Sequence, residues 1–328
     1  MGEVKISVII PVYNVEPWLE ECLDSVISQT FHDIEIICVN DASVDGSQAI
    51  LDRYVAKDSR IRVIINEQNE GLMSVRKRGY EAAAGDYLFF CDSDDFLPCN
   101  ALERLYNGAL SSGSDIVAGD LALWRKDGKK AIRGRGNIGK QWDSFLSAIL
   151  DGTTCSLCGA LFHKSLFKNV SYETFMRCNY SEDRILLIQI LLKKHPSVLS
   201  VGDVTYYYRI NYSSLTRVNF SVTALQAQLK ALFWCYDYVN ANDSGGDFAC
   251  KNDRFIMRYL SYYIECGYSA EEIKGFNAHT LRMMEGKELM RVLGCRLGVH
   301  TYLCVKSELY RRLTHSSRRV IRKIQGKD

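Results

Sequence analysis

"KISVIIPVYNVEPWLEECLDSVISQTFHDIEIICVNDASVDGS", residues 5–47, holds a strand, a helix and a second strand in close succession. "KISVIIPV" (5–12) is a β-branched apolar run ended by Pro11. "PWLEECLDSVISQ" (17–29) then carries Trp18, Leu19, Cys22, Leu23, Val26 and Ile27 at a helical period, with Pro17 in the first turn. "IEIICVN" (34–40) is the second strand. The alternation continues downstream. Asp45 can cap a helix to about residue 57, and "IRVIIN" (61–66) is a third strand. "GLMSVRKRGYEAAA" (71–84) reads as a helix stopped by Gly85, and "DYLFFC" (86–91) as a fourth strand. A helix near 100–112 leads to "SDIVAGDLAL", the fifth. This alternation predicts parallel strands joined by right-handed crossovers. In such open α/β sheets a ligand sits outside the carboxyl ends of the strands. Three polar clusters fall there: "PVYN", "NDASVDGS" and "CDSDD".

The remainder is less regular. Residues 124–180 are mixed and loop-rich. "SEDRILLIQILLKKH" (181–195) is a strong helix with Ser181 as the expected N-cap, and "VTYYYRI" (204–210) is a strand. From about 220 to 325 helical patterns dominate, which predicts a separate helical appendage. The expected domains are therefore 1–218 and 219–328.

Composition is that of a soluble globular protein: 328 residues, 47% apolar, 24% charged. A formal net charge of +2 gives no global argument for nucleic acid. The charge is uneven, though. Residues 306–328 hold eight Lys/Arg against Glu308 and Asp328, an excess of six that leaves the rest of the chain about four negative. No apolar run is long enough to span a bilayer, and the start "MGEVKISVII" lacks a signal-peptide pattern. It also has Ile6 where a myristoylation signal wants Ser or Thr. Of the 12 cysteines most lie in apolar runs, such as Cys38, Cys91, Cys235 and Cys304, and are expected as reduced, buried thiols. "CSLC" (155–158) is an isolated C-x-x-C and weak ground for zinc or redox chemistry.

Four places can carry chemistry. Asp92-Ser93-Asp94 crowds carboxylates at the end of a strand, which costs Coulomb energy unless a cation is present. A hard divalent ion shared between one or two carboxylates and a diphosphate would supply it; a capped, solvated turn is the alternative. Asp41 ends the second strand, where a buried carboxylate can accept an imide N–H from a base. Arg76, on the helix after "NEQNEG", could reach a diphosphate or lie on a solvated face. Glu182 and Asp183 open a helix; one could serve as a general base, or both could simply favour the helix dipole by roughly 0.3–1 kcal/mol. The first βα turn, "PVYNVEPW", has no glycine, which disfavours a dinucleotide-binding dehydrogenase.

Taken in order, "SVIIPVYN…VNDASVDGS", "NEGLMSVRKRGYEAAAGDYLFFCDSDD", "SEDRILLIQILL" and "YYYRINYSS" resemble the inverting glycosyltransferase family 2, over about residues 4–215. The resemblance implies the GT-A fold: a Rossmann-like α/β domain with a mostly parallel sheet flanked by helices, divided into a donor half (1–120) and an acceptor half (121–218). It implies a nucleotide-sugar donor, most often a UDP-sugar, and a Mn2+ or Mg2+ cofactor. Pro11, Val12 and Tyr13 would line base and ribose, Asp41 would hold the uracil imide, and Arg76 would face the nucleotide. Asp92 and Ser93 would contact the donor, Asp94 would ligate the metal, and Asp183 would be the catalytic base. Glu182, Tyr208 and Arg209 would lie near acceptor, sugar and diphosphate. The acceptor would be a glycan or lipid-linked glycan hydroxyl in cell-surface polysaccharide synthesis.

This sequence departs from the family pattern in places. The usual D-D-G-S reads Asn40-Asp41-Ala42-Ser43, the usual Arg-Asn pair reads Arg76-Lys77, and a late histidine of some members is Asn211. A Lys common before "LFHKSLF" is Ala160. The tail places Leu309, Leu313, Val320 and Ile324 at helical spacing opposite Arg and Lys, a pattern suited to an anionic bilayer surface or to packing on the domain. The expected location is cytoplasmic, with the tail on the inner face of the cell membrane. Two other classes compete: a non-catalytic nucleotide-sugar-binding scaffold of the same fold, and a nucleotidyltransferase. The intact Asp94 and Asp183 weigh against the first, and the absence of a Gly-rich phosphate loop after the first strand against the second.

Overall fold

The first strand, β1 (Ile6–Val12), is buried at every residue, so both its faces are covered. Such a strand needs an unbroken apolar run rather than an alternating one, and "ISVIIPV" supplies it. In the computed structural model, residues 4–125, 128, 130–133, 141–152, 156–172, 179, 181–210, 222–243 and 248 are described. The chain divides into two compact units, Met1–Asn219 and Phe220–Asp328.

The first unit is built on an eight-stranded sheet. β1 pairs in parallel with β2 (Ile34–Asn40) on one side and β4 (Tyr87–Phe90) on the other, and β2 pairs in parallel with β3 (Ile61–Ile65). The crossovers are α1 (Glu16–Ile27), α2 (Ser47–Lys57) and α3 (Leu72–Ala82). Helix α1 buries Leu19, Cys22, Leu23 and Val26, one face at 3.6-residue spacing. The strand order β3-β2-β1-β4 reverses direction at β1, so a crevice forms beyond the ends of β1 and β4.

Beyond β4 the predicted parallel series breaks. After α4 (Ala101–Ser112), β5 (Ile116–Trp124) does not pair with β4. β7 (Ala160–His163) lies between them, antiparallel to both. β6 (Lys130–Arg133) also pairs antiparallel with β5, and β8 (Val198–Arg209) pairs parallel with it. Neither β6 nor β7 stands out in the loop-rich 124–180 reading, because four residues are too few to show a period. Between β6 and β7 lies α5 (Trp142–Leu150), and between β7 and β8 lies α6 (Glu182–Lys194). Helix α6 buries every residue from Arg184 to Leu192. Its interior Gln189 is satisfied by exchanging bonds with the Ser171 backbone at 2.9 and 3.1 Å.

Three local expectations change. Ser181 does not cap α6 with its side chain; it sits at φ +59° as a left-handed hinge before the helix. Helix α3 ends at Ala82, before Gly85. Gly85 is required for another reason: a Cβ there would lie 2.8 Å from the Ser7 backbone nitrogen. Asp45 serves two helices at once, accepting the Ser47 N–H at 3.0 Å and the Glu16 N–H at 2.9 Å. Burial would raise its carboxyl, yet these bonds outweigh that and hold it below the usual range.

The second unit contributes one described helix, α7 (Val222–Asn242). Among the described residues no helix is long and apolar enough to cross a membrane. The basic tail, Cys304 and Asn211 lie outside the described residues, as does Cys155 of the C-x-x-C pair.

Candidate active site at the strand ends

Arg76 on α3 is the centre of the site. Its side chain is 1% exposed. One terminal nitrogen, Nη1, donates to Glu182 Oε1 at 2.7 Å and to Asp183 Oδ1; the other, Nη2, donates to Asp92 Oδ1 at 3.0 Å. Three carboxylates from two distant segments thus meet on one guanidinium. Burial works against the charge of Arg76, but Asp183, Asp92 and Glu182 together outweigh it and keep the group protonated. Burial also pushes Glu182 up to about 7, despite Arg76 pulling the other way. A solvated helix face does not describe this arginine, so that alternative is corrected. Asp183 is held at its second oxygen by the Leu157 N–H at 3.2 Å.

A second knot lies under "CDSDD". Asp95 is 1% exposed and accepts the Tyr206 hydroxyl at 2.8 Å and the Arg209 backbone N–H at 2.7 Å. Tyr206 in turn accepts the Asp92 N–H at 3.0 Å. Burial pushes the Asp95 carboxyl well up, and the charges of Asp94 and Asp92 add to that. The Arg209 guanidinium donates to the Asp94 carbonyl at 2.9 Å and to Glu21 at 2.6 Å. It lies 4.8 Å from the Trp18 ring and 5.0 Å from the Phe96 ring, a cation–π sandwich. Ser93 is buried, while Asp92 and Asp94 stay half-buried at the edge.

The remaining expected residues divide. Pro11 and Val12 are buried in β1, and only Tyr13, 47% exposed, offers surface beyond the strand end. Asp41 is buried and accepts three N–H groups from the β3–α3 segment: Asn66 Nδ2 at 2.6 Å, Glu70 N at 2.8 Å and Gly71 N at 2.9 Å. A carboxylate offers about four acceptor positions, and Asp41 uses three of them to anchor that loop. Tyr208 is partly buried and packs against the core cluster.

Asp95, Tyr206 and Trp18, to which the sequence reading gave no site role, hold the acidic turn and Arg209. The alternation of "TYYYR" in a strand could have separated Tyr206 from Tyr207, which packs on Phe96 and Trp124. The buried thiols of Cys22 and Cys91 touch at 3.8 Å beneath Asp92, and burial holds the Cys38 thiol up at about 12.

The model of "Glycosyl transferase family 2" matches residues 7–171, from β1 through the turn after β7, which is half of the chain. The chain belongs to this family. Among curated relatives it is similar to a poly(ribitol-phosphate) beta-glucosyltransferase of Bacillus spizizenii, 34% identical over 217 residues, which are 63% of this chain and 32% of that protein. It is also similar to glycosyltransferase GlyA of Streptococcus pneumoniae, 31% identical over 65% of this chain and 32% of that protein. The chain thus spans about a third of the length of these relatives. In structure it resembles residues 1–349 of S. aureus TarS, solved in complex with UDP-GlcNAc, with a TM-score of 0.66 at 17% identity over 96% of this chain and 92% of that one. That likeness establishes the GT-A fold.

Proposed function

We propose that this chain is an inverting, metal-dependent glycosyltransferase. In this reading it moves a sugar from a nucleotide-sugar, a UDP-sugar first, to a hydroxyl of a glycan or lipid-linked glycan in cell-surface polysaccharide assembly. One observation carries the reading: Arg76 draws Asp183, on α6, to Asp92, at the end of β4, beside the crevice where the strand order reverses. A base and a carboxylate-rich donor edge then face the same space. The relative that acts on poly(ribitol-phosphate) and the fold neighbour solved with UDP-GlcNAc support this choice of acceptor and donor class.

The donor set suits Mn2+ or Mg2+. Among the described residues no three His, Cys, Asp or Glu side chains could hold a metal by themselves. Half-buried Asp94, with Asp92 nearby, instead matches a hard ion shared with substrate phosphates. When bound, such an ion would stabilise negative charge on the departing diphosphate. The residues do the rest. Asp183 takes the proton of the acceptor hydroxyl as that oxygen bonds to the anomeric carbon. The bond from that carbon to the diphosphate oxygen breaks, its electron pair leaving with the nucleotide. A single displacement inverts the centre and needs no enzyme nucleophile.

Asp183→Asn tests this. The amide keeps the shape but cannot accept the proton, and it gives up one of the two hydrogen bonds that Asp183 accepts. UDP release from UDP-sugars with added glycan acceptors should fall about 100-fold or more while UDP binding persists. Full turnover in the variant removes Asp183 as the base.

A further inference from the structure

We infer that Arg76 is a positioning residue that assembles the base, and that it does not contact the donor. This rests on the glycosyltransferase reading above. A guanidinium that grips a diphosphate must present N–H groups to the cleft. Three of the four terminal N–H groups of Arg76 are instead committed, to Glu182, Asp183 and Asp92, on a side chain that is 1% exposed. Its remaining Nε is buried without a partner.

The placement of α6 needs such a pin. The helix starts from a left-handed residue, Ser181, with no side-chain cap. Two residues on one face of α3, four apart, hold it. The Leu72 N–H donates to Asn179 Oδ1 at 2.8 Å, and Arg76 takes both acids of the first turn. From another side Arg184 donates to the Leu150 carbonyl at 3.2 Å, at the end of α5. The first turn of α6 is therefore fixed between α3 and α5, and the Asp183 carboxylate is aimed by that fixing. Arg209, the second arginine expected near the diphosphate, is likewise held by Glu21, Asp94, Trp18 and Phe96. Both arginines thus build the walls of the crevice.

The electrostatics agree. Three carboxyl groups share one guanidinium. The groups facing Glu182 are Arg76 from α3, Asp183 from its own helix and Asp92 after β4. Replacing Arg76 changes how closely positive charge lies to the base, so the acid limb of kcat becomes a readout that simple loss of packing would not move.

Full-length Arg76→Lys is compared with wild type by calorimetric UDP titration with Mn2+ and by kcat and donor KM across pH. A lysine ammonium cannot hold three carboxylates in fork geometry. UDP affinity and donor KM should stay at the wild-type value while kcat falls about 100-fold, as expected for a misplaced catalytic group. The acid limb should move to higher pH, because the single ammonium cannot stay in contact with all three carboxylates and the base keeps less of its positive neighbour. If Arg76→Lys does not fold, Glu182→Gln serves instead. It removes a negative neighbour of Asp183, so the acid limb should move to lower pH with UDP affinity unchanged. UDP affinity lowered about tenfold or more in Arg76→Lys, with kcat kept, would overturn the inference and make Arg76 a donor contact. An unmoved acid limb in both variants overturns it too. Wild type that neither binds UDP nor turns over any UDP-sugar defeats the underlying reading, whatever the variants do.

Discussion

At the scale of single residues, the site is a set of polar groups that share partners. Tyr206 shows this best. Its hydroxyl donates to buried Asp95 and accepts the Asp92 N–H, so one atom connects the base of the acidic turn to its working end. Tyr206→Phe leaves Asp95 short of a donor and an N–H short of an acceptor. Loss of a buried hydrogen-bond partner costs about 1–3 kcal/mol, so thermal unfolding should shift downward by several degrees. UDP binding with Mn2+ should weaken in the same variant, because the backbone of the turn that carries Asp94 loses its support. Unchanged binding would mean the turn is held well enough by Arg209 alone. Little of this was legible in the sequence. Asp92 and Asp94 stand at a strand end and Asp183 opens a helix, each with a plain capping or dipole alternative, and Arg76 in "RKR" reads equally as a diphosphate contact or a solvated face. Its three partners lie 16 to 107 residues away, and no local pattern records such pairings.

Among elements, close approach between layers decides the geometry. Helix α3 carries Arg76 and must lie near β1 for the guanidinium to reach both Asp92 and α6. Gly79 permits this: a Cβ there would come 2.4 Å from Ile9 Cγ2, a fully buried atom of the central strand. Gly79→Ala forces the helix outward or Ile9 off its rotamer, an overpacking cost of about 1–3 kcal/mol, measurable by urea unfolding. Unaltered stability would show that α3 has slack to move. Here the sequence was informative where elements are long or wholly apolar. β1, β2, α1 and α6 follow from periodicity and runs of Ile, Val and Leu. The inserted antiparallel β7 did not, because "ALFH" is four residues whose pairing with β4 and β5 is set by tertiary context.

For the molecule as a whole, the parallel half of the sheet and the mixed half meet at β4 and β7, and the polar groups of both gather around one crevice. The ordered motifs identified the family before any coordinates, and the family model and the fold likeness agree with that reading. What they leave to experiment is chemistry: a nucleotide diphosphate and a divalent ion at "CDSDD". The most direct test is calorimetric titration of UDP, with and without Mn2+, into wild type and Asp94→Ala. The account predicts binding that strengthens about tenfold or more with Mn2+ in wild type and loses that gain in the variant, since the ion bridges carboxylate and phosphates. Absence of UDP binding under every condition, or Mn2+-assisted binding that survives in Asp94→Ala, would contradict it.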